Sequence, residues 1–204
     1  MLIKSVEFKG AVAAPDGPKP AFLPEVAFSG KSNVGKSSLI NRLLGRTRTP
    51  VARVSGTPGK TQEINFYEVR ASAAGGADAS FFLVDLPGYG FARVPMAVRA
   101  KWQPLMESYL GGSKELKGVV QLIDARHGPS AEDRRMVRYL ASLGLPTLFV
   151  LTKVDKLGKR EREKQLARVT EDLDVDAEQV LTFSAKTGEG REELLASVEG
   201  LLLG

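Results

Sequence analysis

One octapeptide limits what this chain can fold into more than any other feature. Gly30-Lys31-Ser32-Asn33-Val34-Gly35-Lys36-Ser37 fits the phosphate-binding pattern G-x-x-x-x-G-K-S/T. Its setting matters as much as its letters. Pro24 precedes the apolar run Val26-Ala27-Phe28, which reads as a buried strand feeding the loop, and Ser38 to Leu44 reads as the first turns of a helix ended by Gly45. A strand, a glycine-bearing loop and a helix N-terminus together make an anion site, because backbone N–H groups converge there and the helix dipole favours negative charge. Gly30 to Ser38 then form a phosphate cradle. Lys36 reaches the β- and γ-phosphates and the Ser37 hydroxyl binds Mg²⁺.

A chain of 204 residues is long enough for one full-sized core and short for two. No apolar run approaches the length of a membrane span, and Lys4 and Glu7 interrupt any signal-peptide core. The absence of cysteine excludes disulfides, thiolate metal sites and cysteine nucleophiles, and it suits a reducing cytosol. The single His127 leaves no histidine cluster for a metal. Charge is unevenly placed: residues 1–60 hold ten Lys/Arg against three Asp/Glu, and residues 61–204 hold nineteen against twenty-one. With Lys36 and one neighbour neutralised by a nucleotide, Arg42, Arg46, Arg48, Arg53 and Lys60 remain. They read either as a surface for a second polyanion such as RNA or as a solvated face that aids solubility.

Strand-like runs at Ile64–Val69 and Ser80–Asp85, joined by the Ala/Gly-rich stretch 70–79, read as an antiparallel hairpin. Val119–Ile123, Thr147–Leu151 and Val180–Phe183 are short and continuously apolar, as parallel strands buried on both faces are. Helical segments near Met96–Leu110, Ala131–Leu143, Lys159–Leu173 and Arg191–Leu203 fall between and after them. Ser130, with Asp133 three residues on, reads as a helix N-cap. The alternation predicts a single doubly wound α/β domain, with a mixed, mostly parallel sheet of six strands and about five helices. Residues 1–23 read as an N-terminal extension with a candidate first strand and an irregular stretch over 10–20; residues 24–204 form the domain.

Two further constellations bear on a nucleotide. Phe81 to Gly88 is an apolar strand ending in Asp85 and then a D-x-x-G turn. Such an aspartate can hold Mg²⁺ through water, and Gly88 can offer a backbone N–H to a γ-phosphate. Thr152-Lys153-Val154-Asp155 and Ser184-Ala185-Lys186 follow the next-to-last and last strands. A carboxylate at Asp155 can accept both N1–H and the exocyclic amine of guanine, a donor pair that adenine lacks. The Lys153 stem can cover the base, and the Ala185 amide can meet guanine O6.

In this order and spacing the phosphate loop, D-x-x-G, N/T-K-x-D and S-A-K motifs resemble the Ras-like GTPases of the translation-factor class. Pro58-Gly59-Lys60-Thr61-Gln62, Asp85 to Gly90, Ile123 to Gly128 and Leu151 to Lys156 resemble the EngB-type ribosome biogenesis GTP-binding family over about Glu25–Leu203. The resemblance implies a Ras-like fold, GTP/GDP and Mg²⁺ as ligands, and a monomeric cytoplasmic GTPase that assists assembly of the large ribosomal subunit. It makes Thr61 the switch threonine that meets Mg²⁺ and γ-phosphate, with Gly59 and Lys60 beside it, and Gly88 the start of a second switch. Thr152 stands where Asn, which ties the base to the phosphate loop, is commoner; the resemblance implies a weaker nucleotide affinity. Tyr89 stands where related enzymes carry a water-orienting Gln, which implies a phenol turned away and slow unaided hydrolysis. Asn33 occupies the position that binds K⁺ in some relatives, so K⁺ or a partner is expected to complete the site. Arg93 is a candidate finger in cis or an ordinary surface arginine. His127 reads as a hydrogen-bonded structural residue, and Trp102 as core or as a contact to the second switch. Other readings of the same motifs are a GTPase acting in membrane remodelling or tRNA modification, a kinase sharing only the phosphate loop, and a GDP-holding module with negligible turnover.

Overall fold

The computed structural model describes residues 1–204 apart from Asp16, Ala21, 53–62, Ala74, 91–95 and Gly204, and apart from the side chains of 96–102. In chain order the elements are β1 (Leu2–Val12), β2 (Glu25–Gly30), α1 (Lys36–Leu43), β3 (Ile64–Ser72), β4 (Asp78–Asp85) and α2 (Met96–Gly112). They continue with β5 (Leu116–Asp124), α3 (Ala131–Ser142), β6 (Thr147–Thr152), α4 (Lys159–Leu173), β7 (Val180–Phe183) and α5 (Arg191–Leu203). The sheet has seven strands in the order β1-β3-β4-β2-β5-β6-β7. β2 pairs in parallel with β4 and β5, and β5–β6 and β6–β7 are parallel too; β1–β3 and β3–β4 are antiparallel.

The count of six strands is corrected to seven. β1 lies within the 1–23 extension and takes in the first residues of the stretch expected to be irregular. Its period-2 pattern is hard to read because register shifts fall between Ile3 and Ser5 and between Phe8 and Gly10, where Gly10 has φ 137°. The hairpin is also tighter than expected. Its strands run to Ser72 and from Asp78, and the tip is closed by Ala73 N–H to Ala77 O (2.8 Å) and Gly76 N–H to Ala73 O (2.9 Å).

Period-2 alternation decides the layers. Along β2, Val26 and Phe28 face one core and Ala27 faces the other, all fully buried. The first core packs Leu39, Ile40 and Leu43 of α1 and Leu194 and Val198 of α5 beneath the sheet. The second holds Phe66, Phe82, Leu105 and Tyr109 under α2, and a third holds Phe149, Val169 and Leu173 under α4. Each such buried aliphatic or Phe side chain contributes about 1.5–3 kcal/mol.

Register then places the chemistry. Phe28 is level with Asp85, Asp124 with Thr152, and Thr152 with Phe183. The carboxyl ends of β2, β4, β5, β6 and β7 therefore share one edge. From β2 the chain leaves first to the β4 side and later returns on the β5 side, which makes the switch point where open α/β sheets bind ligands.

Candidate functional site

The phosphate loop leaves β2 at Gly30, where close packing requires glycine: an added Cβ would lie 2.9 Å from Val34 Cγ1 and 3.2 Å from the Leu122 carbonyl oxygen. Val34 N–H closes the turn on Lys31 O (3.1 Å), and left-handed backbone at Asn33 (φ 61°) and Gly35 (φ 104°) turns the chain into α1. Gly35 is the N-cap and makes no side-chain capping bond, and no acidic residue stands in the first turn of α1. The first N–H groups of Lys36, Ser37 and Ser38 have no intrahelical acceptor in such a helix, so this end favours an anion. The Lys36 ammonium, almost fully buried, meets the Asp85 carboxylate, which the Phe28–Asp85 register sets beside the loop.

The D-x-x-G segment is fastened to that loop by backbone. Leu86 N–H donates to Phe28 O (3.1 Å), Tyr89 N–H to Gly30 O (3.3 Å), and Ser32 N–H to Tyr89 O (2.9 Å). A Cβ on Gly88 would come within 3.2 Å of Ser32 Cα, so glycine is what permits the approach. The Tyr89 phenol turns inward. It donates to Asp133 Oδ1 (2.6 Å) and accepts from Gln121 Nε2 (2.6 Å). Burial, with the Asp133 carboxylate beside it, pushes the phenol well above its ordinary pKa, so it stays protonated. Asp133 itself sits in the expected cap of α3: Ser130 N–H and Oγ each donate to Asp133 Oδ2 at 2.7 Å.

At the other end of the edge, Thr152 Oγ donates to Val34 O (2.6 Å) and lies 3.2 Å from Ile123 O. The hydroxyl thus ties the base-side loop to the phosphate loop directly. Lys153 takes a left-handed conformation (φ 63°) and lays its stem over the loop, with Cε 3.5 Å from an ideal Cβ on Gly35. Its ammonium donates to Asn33 O (2.6 Å) and Asp124 Oδ2 (2.9 Å). Burial would raise the Asp124 carboxyl, but hydrogen bonds from Arg126 and Lys153 outweigh it and hold the group down at about 2. Asp155 Oδ1 accepts from the fully buried Ser184 hydroxyl (2.8 Å), which brings Asp155 against Ser184-Ala185-Lys186.

One sequence expectation changes here. Arg42, counted among cations available to a polyanion, donates from Nε to Ala185 O (2.7 Å) and from Nη2 to Lys186 O (2.6 Å). His127 is exposed, with its backbone N–H donating to Asp124 O (3.1 Å), and it lies at a cleft with Lys31, Asn33, Arg126 and Ser130. Gly59, Lys60, Thr61, Arg53 and Arg93 lie outside the described residues, as does the side chain of Trp102. Sequence reading missed Gln121, Asp124 and Arg126 as parts of the site, and Asp133 beyond its capping role. Asp133 left a signal in its spacing from Ser130, and Asp124 and Arg126 lie in the Ile123–Gly128 motif, which the sequence marked without assigning them a role.

The donor set fits a hard divalent cation held with a nucleotide. Ser37 and Asp85 offer one hydroxyl and one carboxylate, and among the described residues no group of three or more acidic or histidine side chains could hold an ion alone. Mg²⁺ is characteristically held by one or two protein oxygens plus phosphates and water.

Comparison with known proteins agrees with this architecture. The profile of the family described as 50S ribosome-binding GTPase matches residues 25–153. The chain is 46% identical over 203 residues to the probable GTP-binding protein EngB of Gemmatimonas aurantiaca, covering 99% of this chain and 95% of that one. It is 48% identical to the probable GTP-binding protein EngB of Syntrophus aciditrophicus, covering 97% of this chain and 95% of the relative. Among solved structures, a probable GTP-binding protein EngB superposes with a TM-score of 0.64 at 22% identity, covering 87% of this chain and 98% of that one. A point variant of Aquifex aeolicus Era, bound to GDP and tetrafluoroaluminate, superposes with a TM-score of 0.72 at 23% identity, covering 89% of this chain and 57% of that one; both show the shared fold. A single P-loop domain on a mostly parallel sheet, a D-x-x-G loop bonded to the phosphate loop and near-full-length identity of this order place the chain in the 50S ribosome-binding GTPase family, as an EngB-type GTPase that binds GTP/GDP with Mg²⁺.

Proposed function

We propose that this GTPase is a GTP/GDP-dependent switch that acts on the large ribosomal subunit during its assembly, as a cytoplasmic monomer that hydrolyses GTP slowly when alone. One observation carries the reading: the D-x-x-G segment is bonded through its backbone to the phosphate loop, so an event at the γ-phosphate is felt at once by the chain leading into α2. Lys36 leaves Asp85 for the β- and γ-phosphates, while the N–H groups of Lys36, Ser37 and Ser38 at the start of α1 face the anion. The metal supplies charge neutralisation at the phosphates, and Ser37, Asp85 and Thr61 hold it, with Gly59 and Lys60 flanking Thr61. Gly88 offers its N–H to the γ-phosphate. Asp155 accepts N1–H and the exocyclic amine of guanine, the Lys153 stem covers the base, and the Ala185 amide meets O6, with Ser184 and Lys186 shaping that loop.

Slow turnover follows from Tyr89, whose hydroxyl is committed to Asp133 and Gln121 and so does not orient water. Asn33, exposed on the phosphate loop, binds K⁺ beside the phosphates in this reading. Ribosomal action rests on the family and on a basic surface that retains Arg46 and Arg48.

Co-sedimentation with large ribosomal subunits, with a GTP analogue against GDP over a salt series, tests the switch. Binding that depends on the analogue and weakens with salt is expected; no binding in either state would send the search to another partner. Single-turnover rates in K⁺ and Na⁺ test Asn33, and equal rates with and without subunits would remove K⁺ from the reading.

A further inference from the structure

The base-side loop is held by a residue from a distant element. Within one peptide unit the C=O and N–H are coplanar and point in opposite directions, so fixing a carbonyl fixes the next residue's N–H. Gly188 N–H donates to Ser184 O (2.8 Å), which sets the direction of the Ala185 N–H. The next two carbonyls, of Ala185 and Lys186, accept the two arms of the Arg42 guanidinium at 2.7 and 2.6 Å. Fixing Lys186 O fixes the Thr187 N–H, which donates to Ser184 Oγ (3.2 Å), and that hydroxyl donates to Asp155 Oδ1 (2.8 Å). Three consecutive peptide units and the Asp155 carboxylate are therefore oriented in one connected set.

The anchor is itself anchored. Arg42 stands in the last turn of α1, the helix that begins at the phosphate loop, and its own carbonyl accepts from Arg191 Nε of α5 (3.1 Å). Gly188, at φ 90°, takes a left-handed conformation that favours glycine where the loop turns beside Arg42. A planar fork can meet two neighbouring carbonyls at once, which a lysine ammonium on a flexible stem does poorly.

We infer that Arg42 is a specificity-determining positioning residue, which holds the Ser184-Ala185-Lys186 loop in the shape that reads the O6 edge of guanine. The inference rests on the reading that the Ala185 amide meets O6. It also couples the two ends of the nucleotide, since one short helix carries Lys36 at its start and the loop's anchor at its end.

Dissociation constants for three diphosphates test it. GDP carries both recognition groups, IDP keeps O6 and lacks the 2-amino group, and the 2-aminopurine riboside diphosphate keeps the amine and lacks O6. In Arg42→Ala the preference for GDP over the 2-aminopurine nucleotide should fall about tenfold, the effect of one hydrogen bond lost to a polar edge. The preference over IDP, read by Asp155, should fall less, because Ser184 Oγ keeps its own bond to that carboxylate. Arg42→Lys, milder for folding, should lose part of the same preference. Weakening toward all three nucleotides alike in both variants, with ratios intact, would make Arg42 a fold-stabilising residue only and overturn the inference. Wild-type protein that binds GDP and the 2-aminopurine nucleotide equally would instead overturn the O6 reading itself, a failure visible without any variant.

Discussion

Thr152 and Asp124 show how single groups hold this edge together. The buried Thr152 hydroxyl donates to Val34 O of the phosphate loop and lies beside Ile123 O of β5, so Thr152→Val keeps the shape and removes the donor from the Val34 carbonyl. A loss of about 1–2 kcal/mol in urea unfolding is expected, together with faster GDP release; an unchanged release rate would show that the bond does not tie the two loops. Asp124 makes stability depend on acid. Its carboxyl sits at about 2 in the fold against an ordinary 3.8, so it binds fewer protons folded than unfolded, and its contribution is complete above the unfolded value. That contribution, up to about 2 kcal/mol for a carboxylate only 15% exposed, is lost as pH falls from about 4 toward 2. In Asp124→Asn this part of the pH dependence should vanish, and parallel stability–pH curves for the two proteins would refute the assignment.

At the scale of elements, the Tyr89 network joins three of them: the D-x-x-G segment after β4, Gln121 of β5 and the capping Asp133 of α3. Tyr89→Phe removes one hydroxyl and leaves a buried amide and a buried carboxylate oxygen each short of a partner, a cost of about 2 kcal/mol. Hydrogen exchange should report it locally, because Ser32 N–H donates to Tyr89 O and loses protection as the segment loosens. Unaltered Ser32 protection would mean that the phenol does not hold this segment. The starts and ends of the helices were legible to within two residues because their causes are local. Lys159–Leu173 and Arg191–Leu203 follow from periodicity, and Ser130 with Asp133 marks the start of α3. That Tyr89 meets Gln121 and Asp133 was not legible, since they lie 32 and 44 residues away and the local signal at Asp133 marks only its cap.

For the molecule as a whole, β1 is the outermost strand, pairing with β3 from Leu2↔Ser72 to Val12↔Ile64. Its Val12 is buried and Ile3 and Val6 pack on the first core, while Lys4, Glu7 and Lys9 charge the open edge. Removing residues 1–12 should cost at least about 2 kcal/mol of unfolding free energy through lost apolar burial. It should also bare the β3 edge and drive self-association, visible by size-exclusion chromatography. A monomeric truncated chain of full stability would show that β1 is an accessory to the sheet rather than part of its closure.

The sequence by itself determined the nucleotide chemistry and the layered α/β plan. A glycine loop between an apolar run and a helix start, and alternating apolar segments of two periods, express forces that act within a few residues. Tertiary structure alone decided which distant groups meet at that edge. Arg42 spans 143 residues to Ala185, Lys153 spans 120 to Asn33, and Thr152 spans 118 to Val34. Such pairings depend on strand order and register, which are properties of the folded sheet, and an arginine reads as a surface cation until the fold puts two carbonyls in front of it.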